Sequence, residues 1–213
     1  ERTQDEIKGV RFRTAAELSN AISAEVAFIS EPYVVAGAIT EISGKIKAAG
    51  KTTFVMAMAR SVLDGQQFMG YPTIKSPVVY LAEQPDASFR VAIGRAGLDE
   101  REDFFILSYK DTLSSDWETI VKAAHGKCTD IGSKMLFVDT LPQFSGMAGH
   151  QENDSGAAMA ALRPFLHLTS DGIAVVVVRH DRKSGGEVGD AGRGSTAWGG
   201  AADTLINITR GDG

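Results

Sequence analysis

The sequence predicts an α/β fold, a single domain on a mostly parallel central sheet with helices on both faces. Three observations predict it. Apolar runs of strand length alternate along the chain with amphipathic stretches of helix length. Several runs are apolar at successive positions, above all Ile173 to Val178, as expected of a strand covered on both faces. A glycine-rich loop and two acidic residues stand where those runs end, the edge at which open sheets of this kind bind ligands.

Each element follows from local pattern. The first dozen residues are charged and lack a period, so they read as an arm. Thr14-Ala-Ala-Glu17 has the form of a capping box, which starts a helix expected to reach about Ala24. A linking stretch through Pro32 leads to Gly37, and the reading divides the chain into an arm and helix at 1–36 and a core at 37–213. "GAITEIS" is a strand entering the glycine loop. "KTTFVMAMARSVLDG" is a helix with Phe54, Ala57, Met58 and Val62 on one face, stopped by Gly65. "PVVYLAE" is a buried-type strand, followed by a helix near Ser88 to Ala96 and the strand "DFFILSY". The alternation then repeats. Asp116 to His125 is a helix, "KMLFVDT" a strand, Asn153 to Leu168 a helix and "GIAVVVVRH" a strand. Residues 181 to 194 form a polar, glycine-rich loop, and "ADTLINITR" closes as a strand. The chain starts at Glu1 and stops soon after that strand, so the reading allows for a longer parent chain.

Composition removes several classes. With 43 % hydrophobic and 23 % charged residues the chain has a globular profile, not that of general disorder. No apolar run approaches the roughly 20 residues of a membrane helix, and no secretory signal is read. The single cysteine, Cys128, cannot form an internal disulfide, which points to the cytoplasm. His125, His150, His167 and His180 show no metal-ligand spacing. A net charge of −5 implies no broad basic face, so any nucleic-acid contact rests on a few loop Lys and Arg residues.

The chemistry gathers at the strand ends. Gly50-Lys51-Thr52 closes a phosphate loop, but the usual Gly-x₄-Gly-Lys spacing is off by one. The first glycine is Gly44, and Lys45 occupies the expected place. Either the loop carries one extra residue or its first glycine has been replaced. The candidate cradle comprises Gly44, Lys47, Ala48, Ala49, Gly50, Lys51, Thr52 and Thr53. Backbone NH groups and a helix N-terminus would surround the phosphates, with Lys51 adding charge and Thr52 a hydroxyl for Mg²⁺. Asp139 ends the apolar run of "KMLFVDT", where a carboxylate can hold the water shell of the same ion. Hydrolysis also needs a group that orients the attacking water. The residue after Asp139 is Thr140, so the acid must come from elsewhere, and Glu83 at the mouth of "VVYLAE" is the candidate. His180 ends its strand at the same edge, where it can contact the terminal phosphate.

These elements in this order resemble the RecA-like P-loop ATPase superfamily, which includes recombinases and hexameric replicative helicases. The resemblance is nearest to RepA-like, AAA-family ATPase domains of phage, plasmid and bacterial replication modules. "GAITEISGKIKAAGKTTF", "VVYLAEQ", "LFVDTLPQF" and "VVVVRHDRKSGGEVGDAGRGSTAWGGAADTLINI" carry it, over about 40 to 210. It implies ATP and Mg²⁺ as cofactors, Lys51 and Thr52 as the phosphate-loop pair, Glu83 as the catalytic carboxylate and His180 as the γ-phosphate sensor. It also implies a basic finger from a neighbouring subunit, for which Arg193 and Arg210 are candidates and Lys183 a weaker third. The implied partners are further copies of the chain, as a hexamer, together with single-stranded DNA and other replication proteins. The DNA-facing loops would be "PQFSGMAGHQENDSG", which has no Lys or Arg, and "DRKSGGEVGDAGRG", where Arg182, Lys183 and Arg193 offset Asp181, Glu187 and Asp190. A replication-associated helicase is the leading expectation. A nucleotide-gated loader, a recombinase-like filament protein and a small-molecule kinase are the alternatives.

Overall fold

The computed structural model describes residues 11–45, 50–147, 151, 154–180 and 202–209. Its centre is a six-stranded sheet, and every neighbouring pair in it is parallel. In chain order the strands are β3 (Ile39–Gly44), β4 (Val78–Ala82), β5 (Phe104–Ser108), β6 (Met135–Asp139), β7 (Ala174–His180) and β8 (Thr204–Ile208). In space the order is β5-β4-β6-β7-β3-β8, so β3 lies between β7 and β8. The predicted class and all six predicted core strands are present. Every residue of β4 and β6 is buried, as the unbroken apolar runs require.

Successive side chains of a strand point to opposite faces, so the sheet has two cores. On one face Ile42, Tyr80, Phe137 and Val176 pack with Val55, Met58 and Val62 of α2 (Lys51–Asp64) and Phe89 of α3 (Asp86–Ala96). On the other, Val79, Leu136, Val138 and Val177 pack against α4 (Trp117–Ile131), α5 (Leu141–Ser145), α6 (Ser155–Leu162) and α7 (Leu166–Ser170). Phe165 is fully buried in this second core, edge-on to Trp117 at 5.4 Å between ring centroids. Phe165→Ala should lower the unfolding free energy by about 3–5 kcal/mol, the usual cost of emptying a buried aromatic site. Urea denaturation measures it, and a loss below about 1 kcal/mol would mean that the site collapses freely.

Several local expectations are corrected. The linking stretch before Gly37 contains an antiparallel pair, β1 (Phe28–Ser30) with β2 (Val34–Val35). Ile29 and Val34 belong to the same buried cluster as α2. The apolar face of α2 is misassigned in the sequence reading. Ala57 is exposed and Phe54 only half-buried, whereas Val55, Met56, Ala59 and Leu63 join Met58 and Val62 inside. The single helix expected over 153–168 is divided. Pro164 has no amide hydrogen to continue the ladder, so α6 gives way to a 3₁₀ turn at Arg163–Phe165 before α7.

At the N-terminus the capping box forms. The Thr14 amide donates to Glu17 Oε2 at 2.7 Å, and the Glu17 amide donates to Thr14 Oγ1 at 3.2 Å. The helix it starts, α1 (Ala15–Ala21), buries no residue and stops earlier than expected. Among the described residues no helix is long and apolar enough to cross a membrane.

Candidate nucleotide site at the C-terminal sheet edge

The ends of four neighbouring strands bring the predicted residues together. Gly44 closes β3 in register with His180 at the end of β7. Asp139 closes β6, in register with Val178 of β7 on one side and Ala82 of β4 on the other. Glu83 follows β4 directly, and its amide donates to the Asp139 carbonyl at 2.8 Å.

The glycine loop joins β3 to α2, as the motif requires. Gly50 has φ 72°, the left-handed conformation, and precedes the first residue of α2. A Cβ there would meet nothing within 4 Å, so what demands glycine is backbone conformation, not space. No side chain caps the α2 N-terminus. The helix dipole favours an anion at this end, where backbone NH groups point out of the first turn. Lys51 is buried, 6 % exposed, and donates from Nζ to the carbonyls of Gly44 at 2.6 Å and Lys45 at 3.1 Å. The ammonium is thereby folded back along the mouth of the loop. Thr52 is half-buried, with its Oγ1 accepting from Gln84 Nε2 at 3.3 Å, while Thr53 faces outward from α2. Lys47, Ala48 and Ala49 of the candidate cradle lie outside the described residues, as do Lys183, Arg193 and Arg210.

Two carboxylates sit here in different environments. Glu83 Oε2 accepts from the Thr140 amide at 3.2 Å and from the Thr140 hydroxyl. His180 Nε2 lies 3.7 Å from Glu83 Oε1, too long for a hydrogen bond. Burial pushes the Glu83 carboxyl up, but His180 and the two Thr140 donors outweigh it and hold it below the usual glutamate range. Glu83 is thus ionised at neutral pH. Asp139 is 5 % exposed. Burial raises its carboxyl above the usual range, and the nearby Glu83 charge adds to this. A hydrogen bond from Tyr80 and the nearby His180 and Lys51 side chains oppose the rise. Tyr80 Oη donates to Asp139 Oδ2 at 2.7 Å. The peptide between Asp139 and Thr140 is cis.

Among the described residues no three His, Cys, Asp or Glu side chains cluster as a self-sufficient metal site. Mg²⁺ takes one or two protein ligands and completes its shell with water and substrate phosphate. Asp139 and the Thr52 hydroxyl are of the right chemistry. His180 Nδ1 is buried without a hydrogen-bond partner among the described residues, an orphaned polar atom that a ligand could satisfy.

Tyr80, Gln84 and the link from Thr140 to Glu83 were missed in the sequence. Tyr80 had one signal: a phenol inside the apolar run "VVYLA" needs a partner for its hydroxyl. A cleft of about 1060 Å³ lies between α4 and the α6–α7 corner, lined by Lys122, His125, Arg163 and His167 among others. It includes none of the strand-edge residues.

A parallel sheet whose first core strand runs through a Gly-Lys-Thr loop into a helix defines a P-loop ATPase, a nucleotide-binding enzyme. The chain belongs to the AAA domain family, whose profile matches residues 9–186, most of its length. No curated protein matches it significantly.

Proposed function

We propose that the chain is the Mg²⁺-dependent motor core of a replication-associated, RepA-like hexameric helicase, driven by ATP on single-stranded DNA. The observation that carries the ATPase part is the meeting of Lys51, Glu83, Asp139 and His180 along one sheet edge, beside the N-terminus of α2. In this reading Lys51 leaves the Gly44 and Lys45 carbonyls to neutralise the β- and γ-phosphates. Thr52 and Asp139 would hold Mg²⁺, which would supply charge to offset that of the transferring phosphoryl group. Glu83 orients the attacking water, and His180 contacts the γ-phosphate through a ring already directed at Glu83. Arg193 or Arg210 supplies the finger to a neighbouring site. A site completed by a neighbour works in a head-to-tail assembly, which closes as a ring. Residues 37–213 form the motor core, and 1–36 an arm and helix that end in the β1–β2 pair packed on that core. The helicase and DNA parts of the reading rest on the resemblance in sequence, with fold-level analogy as their warrant.

The test is ATP hydrolysis by the purified chain, with and without single-stranded DNA, together with its mass in solution. DNA-stimulated turnover in a ring-sized assembly supports the motor. Turnover in DNA-bound filaments would favour a recombinase. Hydrolysis that ignores DNA and answers only to a protein partner would favour a loader. An absence of nucleotide binding would overturn the site itself.

A further inference from the structure

The fully buried aromatic residue beneath the site has a defined relation to Asp139. Tyr80 is 0 % exposed, and its hydroxyl meets Asp139 Oδ2 at 2.7 Å. Its ring is fixed on three sides, by Phe89, Phe104 and Phe137 at centroid distances of 5.1, 5.8 and 5.6 Å. Those rings come from α3, β5 and β6, so the phenol cannot swing without disturbing three elements. The two partners come from adjacent strands, β4 and β6, whose register sets Tyr80 beside Phe137 and Ala82 beside Asp139. The hydroxyl therefore reaches along the sheet, from below, to the carboxylate at the rim.

We propose that Tyr80 is the positioning residue of Asp139, fixing one carboxylate oxygen so that the group meets a metal's water shell in a single orientation. The inference rests on the reading in which Asp139 serves Mg²⁺. The physical reason is that a buried carboxylate near Glu83 is costly to ionise and free to rotate unless a rigid donor holds it. Tyr80 does both jobs without touching nucleotide or metal.

The experiment uses the full chain with Tyr80→Phe, which keeps the ring and removes the donor, and Asp139→Asn as its reference. Mn²⁺ is titrated in the presence of ADP, and free Mn²⁺ is read by electron paramagnetic resonance. Thermal melting by circular dichroism runs alongside. Tyr80→Phe should weaken Mn²⁺ binding by about tenfold, the low end for loss of an outer-shell partner. Turnover should recover at high Mg²⁺. Asp139→Asn should weaken the metal at least as much, and no excess of metal should restore it. If Asp139→Asn loses Mn²⁺ while Tyr80→Phe binds it as the wild type does, Tyr80 is merely structural and the proposal fails alone. If neither variant changes Mn²⁺ binding, the metal reading of Asp139 fails with it. Should Tyr80→Phe not fold, Tyr80→4-fluorophenylalanine fills the space of the hydroxyl without a hydrogen-bond donor. An unchanged Mn²⁺ affinity there overturns the proposal.

Discussion

Lys51→Ala should abolish ATP turnover, by roughly a thousandfold or more, while the protein still folds. The magnitude is that of removing a cation that offsets the charge of a transferring phosphoryl group. The structure explains why the fold should survive. Lys51 Nζ binds the carbonyls of Gly44 and Lys45, and both belong to the loop mouth, not to the hydrophobic core. Lys45 is exposed, so water can replace the lost donor there. Alanine is also the best helix former, and position 51 opens α2. Steady-state hydrolysis and nucleotide binding measure the effect, with a melting curve as control. Normal turnover in a folded variant would remove Lys51, and with it the loop, from the site.

Glu83→Gln should separate binding from chemistry. ATP should still bind, and hydrolysis should fall by about 10²- to 10⁴-fold, the range for loss of a positioned general base. Glutamine keeps the shape and retains an acceptor for the Thr140 amide and hydroxyl, so the contact that now engages Glu83 Oε2 need not be lost. What disappears is the charge, which is held ionised by His180 and Thr140 against burial. Rapid quench in a single turnover distinguishes the outcomes. Bound ATP that persists uncleaved supports the water-orienting role. Loss of binding would show that Glu83 is structural, and unchanged cleavage would pass the role to another group.

Much of this site was legible because its residues lie in local patterns. The apolar run before Asp139, the run before Glu83 and the run before His180 each name a buried strand and its last polar residue. In a parallel sheet those last residues share one edge whatever the strand order. The displaced glycine remained a question in the sequence. The structure shows Gly44 as the last residue of β3 and Gly50 in the left-handed conformation at the start of α2, with Lys51 reaching back between them. The longer spacing is thus compatible with the strand–loop–helix context.

Other features were illegible for a physical reason. The β1–β2 pair has five residues in all, too few to rise above a linker by period. The face of α2 was misjudged because Phe54, Val55, Met56, Ala57 and Met58 are all apolar, and a continuous run does not say which side meets the sheet.

The sequence by itself determined the six core strands, the class of fold and the residues that end each buried strand, because periodicity and capping act over a few neighbours. Only the tertiary structure decided the strand order, and with it who touches whom. Glu83 meets Thr140 and Tyr80 meets Asp139 because β4 lies beside β6 in one register, across 57 and 59 residues of chain. Hydrogen bonds at that separation depend on the whole sheet being assembled, which no local pattern encodes.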